Sequence, residues 1–225
     1  MGTEDYDQTV DLLGPGYEVT YQTDRDTHGT RCSIASRWPL ENVRELDLHL
    51  TPRTKDFPCA ILVAEISAPE PVGTLLFANH FPNYQLDFEL ERELQAVAAA
   101  KFIEELIGPR NLHVILVGDL DATPEAASMR FWCGRQSLGG ISVCYRDAWE
   151  SAHPAEPGET FSQRNPLRSF SWDVSRRLDY VLVRCGPKGP TLNVASCMQI
   201  FDEPTNGVWA SDHFGGVADL EVPDD

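Results

Sequence analysis

Residues 207–220, GVWASDHFGGVADL, set Ser211, Asp212 and His213 side by side just ahead of an apolar alternating run. A carboxylate beside an imidazole fixes the ring's tautomer and raises its basicity, so the ring can exchange a proton with water near neutral pH. Other polar groups stand at comparable places. Asn79 and His80 close the run GTLLFANHF, Asp119 and Asp121 follow LHVILVG, and Arg177 and Asp179 open RLDYVLVRC. Carboxylates gathered closely repel one another, and they persist where a hard cation or a protonated partner offsets them. Magnesium keeps several of its waters and needs only one or two carboxylates plus a substrate phosphate. Such parts suit attack of water on a phosphate ester: a metal offsets developing charge, one group activates the water, another assists the leaving oxygen.

Each fragment also has a plainer reading. Gly118-Asp119 is a common turn, Asp179 can form an ordinary ion pair with Arg176 or Arg177, and His80 can be a half-buried structural histidine. Ser211-Asp212-His213 can cap a helix or a turn. The joint occurrence of the four at strand ends favours chemistry.

The elements that must position them read as follows. EDYDQTVDLL is a short helical pattern stopped by Gly14-Pro15-Gly16. TRCSIASRWPL alternates as a strand stopping before Pro39, and CAILVAEIS with GTLLFANHF forms an antiparallel hairpin across APEPV. QLDFELERELQAVAAAKFIEELIG is the strongest helix, with Leu86, Leu90, Leu94, Val97, Ala98, Phe102 and Leu106 at helical spacing and Gly108-Pro109 ending it. Leu112–Val117 is continuous and apolar, as in a strand buried on both faces. Residues 150–170 form a long polar loop of functional character, and three further strands follow, RLDYVLVRC, TLNVASCMQIF and FGGVADLEV. The expectation is one mixed α/β domain over residues 1–225, with no repeat and no linker dividing two cores.

The net charge of −17 disfavours binding nucleic acid by phosphate neutralisation, which needs a basic face. The six cysteines show no C-x-x-C pair and no zinc spacing. With no leader pattern at the start, they read as free thiols in a reducing cytoplasm. No run reaches the roughly 20 apolar residues of a membrane span.

The series ANHFP, GDLDATP, RRLDYVLVR and ASDHFG, with IASRWPL before it, resembles the endonuclease/exonuclease/phosphatase superfamily, the DNase I-like metal-dependent phosphoesterases, from about residue 6 to 222. The resemblance implies a four-layer α/β/β/α sandwich with the site at one end of the packed sheets. It implies that Asp212 is a ligand for Mg2+ or Mn2+, and that His213, paired with Asp179, is the base or phosphate-contacting histidine. Asp119 would orient the water, Asp121 would bind phosphate or metal, and His80 would contact the phosphate or protonate the leaving group. Asn79 and Arg177 would bind phosphate, although Arg177 could equally salt-bridge within the sheet.

Two departures matter. Asp121 stands where the family has Asn. The family's first strands, ending in Asn and in Gln-Glu, have no counterpart here, so N-terminal strands are missing and Glu4 is the nearest stand-in for the metal-binding glutamate. Three readings of the gap stay open: a longer natural chain from a misassigned start, an inactive relative kept for binding, or rearrangement or homo-oligomerisation that covers the exposed faces. The expected substrate is a phosphomonoester or phosphodiester, small or lipid-derived rather than nucleic acid. A nuclease on the same site is the first alternative, favoured by a basic stripe from Arg130, Arg135, Arg164 and Arg168. A non-catalytic binding protein on a degenerate scaffold is the second.

Overall fold

The structure, a computed structural model, describes residues 2–3, 6–24, 29–168 and 174–223. The two-residue strands β1 (Gly2–Thr3) and β2 (Tyr6–Asp7) lead into helix α1 (Gln8–Leu13). Next come β3 (Glu18–Tyr21) and β4 (Ser33–Ser36), then β5 (Leu40–Asp47), β6 (Ala60–Ser67) and β7 (Thr74–Phe81). Helix α2 (Glu89–Ile107), β8 (His113–Asp119), α3 (Ala127–Trp132), β9 (Tyr145–Asp147) and α4 (Ala148–Ala152) follow. The chain closes with β10 (Asp179–Gly186), β11 (Gly189–Pro190), β12 (Asn193–Ile200) and β13 (Gly215–Glu221).

Seven strands make the main sheet, with β5, β6, β7, β8 and β10 side by side and β9 and β11 both paired to β10. Only β7 and β8 run parallel among these pairs, because α2 carries the chain back across the sheet between them. The continuous apolar run of β6 is buried on both faces. Ile61 and Val63 join Leu76, Ala78, Val114 and Leu116 beneath Ala96, Ala99 and Ile103 of α2 and Phe131 and Trp132 of α3. Leu62 and Ala64 point the other way, onto Cys32 and Ile34. Opposite the helices lie two separate ladders, β3 with β4 and β12 with β13. They stand where the second sheet of a sandwich belongs.

Val97, Ala98, Phe102 and Leu106 of helix α2 pack against the core, whereas the leucines at and before its first turns do not. Leu86, Leu90 and Leu94 are 68%, 60% and 42% exposed, and the buried face carries Glu91, Arg92, Gln95, Ala96, Ala99 and Ile103. A polar network under the first turns explains the difference. Gln95 donates to the Leu48 carbonyl and to Asn83, Arg92 donates to the carbonyls of Asn83 and Gln85, and Glu91 pairs with Arg53. The alanines beyond it let the helix lie close on the sheet. Strands β3 and β5, and the short strands β1, β2, β9 and β11, were not legible in the sequence. The pairing of β5 with β6 is interrupted between Glu41 and Arg44, where Asn42 has a φ of 47°, and the irregularity breaks the alternation.

Candidate active site

Strands β8 and β10 are antiparallel in a register that sets Asp119 directly opposite Asp179. Like charges opposite each other in a ladder repel, so this register needs a compensating cation. Gly118 brings β8 into place. Its φ is 149°, and a Cβ there would lie 2.1 Å from the His80 carbonyl oxygen, so no side chain fits between β7 and β8 at this point. The start of β10 is held by Thr160, whose hydroxyl oxygen accepts the N–H groups of Leu178 (3.0 Å) and Asp179 (3.2 Å). The Thr160 carbonyl accepts the Phe214 N–H at 2.8 Å, and Asn165 donates to the Ser211 carbonyl at 2.8 Å. These bonds fix the 211–214 turn over the ends of the two strands. His213 thereby lies with Nδ1 2.9 Å from Asp179 Oδ2 and 3.8 Å from Asp119 Oδ2, its ring against Phe161.

The electrostatics follow from this crowding. Burial, then the charges of Asp121 and Asp179, pushes the Asp119 carboxyl well above the usual range. Asp121 is pushed up to about 7, chiefly by burial. Burial disfavours charge on His213, but the Asp179 hydrogen bond and the charges of Asp119, Asp179 and Asp212 outweigh it and raise the ring to about 9. At neutral pH His213 is therefore an imidazolium, the local counter-charge of the carboxylates.

Asp119, Asp179 and His213 bring ligand atoms within 4.8 Å of one another, the one such group of three among the described residues. The carboxylates of Asp119 and Asp179 offer oxygen donors that fit a hard divalent cation, with the remaining positions left to water or substrate oxygen and the charged His213 beside them. Asn79 shares the site, lining a cavity of about 520 Å³ with Asp119, Thr160 and Asp179. Its amide donates to the Ser33 carbonyl at 2.9 Å. Phe77, Val117 and Val181 also line this cavity, which opens between the two separate ladders. Asp121, at a φ of 49°, donates its N–H to Asp119. Asn and Asp both tolerate that left-handed turn, which accounts for the replacement of the family's Asn.

Three anticipated residues lie outside the cluster of Asp119, Asp179 and His213. His80 points to the opposite face of β7, with its ring edge against Trp132 and in a small void beside Arg92 and Met129. It is 1% exposed, and burial lowers it to about 3. Alternation along β7 sends Asn79 to the cavity and His80 to the helices. Arg177 is buried and bonds Asp147 at 2.5 Å, and it also lines the cavity that Asn79, Asp119 and Asp179 share. Asp212 is exposed, with the Ser211 hydroxyl at 3.3 Å. Glu4 lies outside the described residues. Sequence reasoning missed Thr160, Asn165 and Asp147; the first two fall in the long polar loop that was its only signal.

A mixed sheet with helices on one face, carrying paired acids and a histidine at its strand ends, defines a DNase I-like α/β fold. The chain belongs to the Endonuclease/Exonuclease/phosphatase family, whose profile matches residues 2–213. Its members are phosphoester hydrolases. Among solved structures, D. rerio TDP2 complexed with a single-strand DNA product is 19% identical with a TM-score of 0.72, covering 94% of this chain and 79% of that one. The human Nocturnin catalytic domain with bound sulfate is 17% identical with a TM-score of 0.72, covering 97% and 77%. The Bacteroides thetaiotaomicron mannosyl-6-phosphatase is 19% identical with a TM-score of 0.68, covering 95% and 80%. No curated protein sequence matches the chain significantly. Among the described residues, no helix is long and apolar enough to cross a membrane.

Proposed function

We propose that the chain hydrolyses a phosphomonoester or phosphodiester, small or lipid-derived, with Mg2+ or Mn2+. The observation that carries the reading is the opposition of Asp119 and Asp179 across one ladder, with His213 hydrogen-bonded to Asp179 at 2.9 Å and 3.8 Å from Asp119. Asp119 and Asp179 would hold the divalent ion, which would supply charge neutralisation at the phosphate. Asp179 orients the His213 ring through Nδ1, and the imidazolium contacts a phosphoryl oxygen; its elevated pKa favours that role over general base. Asp119 orients the attacking water. Asn79 contacts the phosphate from the wall of the cavity, Asp121 beside Asp119 binds phosphate or metal, and Asp212 adds negative charge that holds His213 protonated.

Three guanidinium groups frame the histidine's aromatic neighbours. Arg176 lies 5.2 Å and Arg168 5.9 Å from the Phe161 ring centre, and Arg164 lies 5.0 Å from that of Phe214. Such a local basic rim on a strongly acidic chain suits a compact anion better than a long polyanion. Arg130 and Arg135, the other half of the expected nuclease stripe, are engaged with Gln136 and Glu150. Arg164 is likewise within 4.0 Å of Asp202, and the nuclease reading rests on the TDP2 likeness. Exposed Asp212 favours the non-catalytic alternative. Cytoplasmic location, and a homo-oligomer covering the faces left by the missing N-terminal strands, belong to the same proposal.

The test is a panel of sugar phosphates, phospholipid headgroup esters and single-stranded DNA, assayed with Mg2+, with Mn2+ and with chelator. Metal-dependent turnover of a small or lipid ester supports the reading. Preferential DNA cleavage with a steep salt dependence replaces it with the nuclease, and phosphate-ester binding without turnover replaces it with the scaffold.

A further inference from the structure

Far along β10 from Asp179, the ladder with β9 continues one step beyond its last registered pair, Arg184 with Tyr145. There the Cys185 N–H donates to the Cys144 carbonyl at 2.8 Å, so the two cysteines stand opposite each other. Directly opposed residues of an antiparallel pair have Cα atoms about 4.5–5.5 Å apart, inside the disulfide range of about 4.4–6.8 Å. Both line a cavity of about 600 Å³ with Lys101, Gly134 and Arg184. Gly134 leaves the room for this: a Cβ on it would lie 2.9 Å from Cys144 Sγ. Cys144 is exposed, whereas Cys32, Cys59 and Cys197 are buried. Burial, and then the adjacent Cys144 thiol, pushes Cys185 up to about 11, and burial pushes Cys133 up to about 12.

We propose that Cys144 and Cys185 form a reversible dithiol–disulfide site that reacts with a small peptide disulfide of the glutathione class. The cavity has the volume for a tripeptide, and the Lys101 ammonium at its wall suits a peptide carboxylate. The Cys144 thiolate attacks one sulfur of the small disulfide, whose S–S bond breaks; one small thiol leaves, taking a proton. Cys185 gives its proton to solvent and attacks Cys144 Sγ, and the second small thiol leaves. Two protein thiols are oxidised and one small disulfide is reduced to two thiols. The bond ties off the segment carrying Asp147, Thr160, Arg177 and Asp179, so it raises stability by restricting the unfolded chain.

The test incubates the full chain with glutathione disulfide, quenches by alkylation, and reads intact mass, peptide map and melting temperature. Expected are the loss of two hydrogens, one linked peptide joining Cys144 to Cys185, and a melting temperature several degrees higher, reversed by dithiothreitol. Cys185→Ser should instead retain a glutathione adduct on Cys144, and Cys144→Ser should acquire neither. An adduct persisting on Cys144 in the unsubstituted chain, a bond from Cys144 to Cys133, or no modification at all overturns the proposal.

Discussion

Acidification should destabilise this protein through His80 by an amount the structure sets. The ring is held neutral in the core, lowered from 6.5 to about 3 by burial, with a hydrogen bond to the Ala60 backbone opposing the shift. In the unfolded chain it protonates below about 6.5. Between those values the unfolded state binds a proton that the folded state refuses, so stability is full above about 6.5 and falls as pH drops toward 3. From pH 7.5 to pH 5 the loss is about 2 kcal/mol, at about 1.4 kcal/mol per unit once below the unfolded value. The perturbation is His80→Gln, which keeps an N–H for the Ala60 carbonyl but cannot titrate. Urea unfolding of both proteins at both pH values gives four free energies. Asp119, Asp121 and His213 titrate in both proteins and cancel in the difference. The original chain should lose about 2 kcal/mol more than the variant on acidification. Equal losses would refute the core placement of His80 and return it to the solvent-facing site.

Three further substitutions probe the scaffold. Gly118→Ala forces a Cβ to within 2.1 Å of the His80 carbonyl and should lower the melting temperature sharply; an unchanged melt would contradict the close approach of β7 and β8. Arg177→Met leaves Asp147 charged and buried, a loss of about 3–5 kcal/mol by denaturant titration, and adding Asp147→Leu should recover most of it. If the double variant is no more stable than the single, the pair is not the buried unit described. Thr160→Val removes the acceptor shared by Leu178 and Asp179 and should cost about 1–3 kcal/mol. It should also drop the His213 titration, followed by NMR, from about 9 toward 6.5, and a histidine still near 9 would show that Thr160 does not position Asp179.

What the sequence made legible was governed by period and punctuation. The β6–β7 hairpin, β8, β10, β12 and β13 were readable because apolar runs end at Gly, Asn or Asp, and the order of those ends carried the family. The pairing of Asp179 with His213 was readable from the series of motifs. The face of α2 was not, because a buried Gln95–Asn83–Arg92 network outweighs a leucine stripe and no periodicity reports on partners distant in sequence. His80 illustrates the alternation rule at its sharpest. It adjoins Asn79, yet successive residues of a strand point to opposite faces, so only one of the two reaches the cavity. Thr160 and Asn165 act through backbone groups some 18 and 46 residues away, contacts that leave no local pattern.

The central claim is that Asp119, Asp179 and His213 form a metal-dependent phosphoester-hydrolysing site. The most direct test compares turnover of p-nitrophenyl phosphate and bis-p-nitrophenyl phosphate, with Mg2+ and after chelation, by the full chain and by Asp179→Asn. That substitution preserves shape while removing a carboxylate charge and the partner that keeps His213 charged. The account predicts chelator-sensitive turnover that falls at least about 100-fold in the variant, as for loss of a group acting on transition-state charge. Turnover that survives both chelation and Asp179→Asn, or no turnover of any phosphate ester by the folded chain, would contradict it.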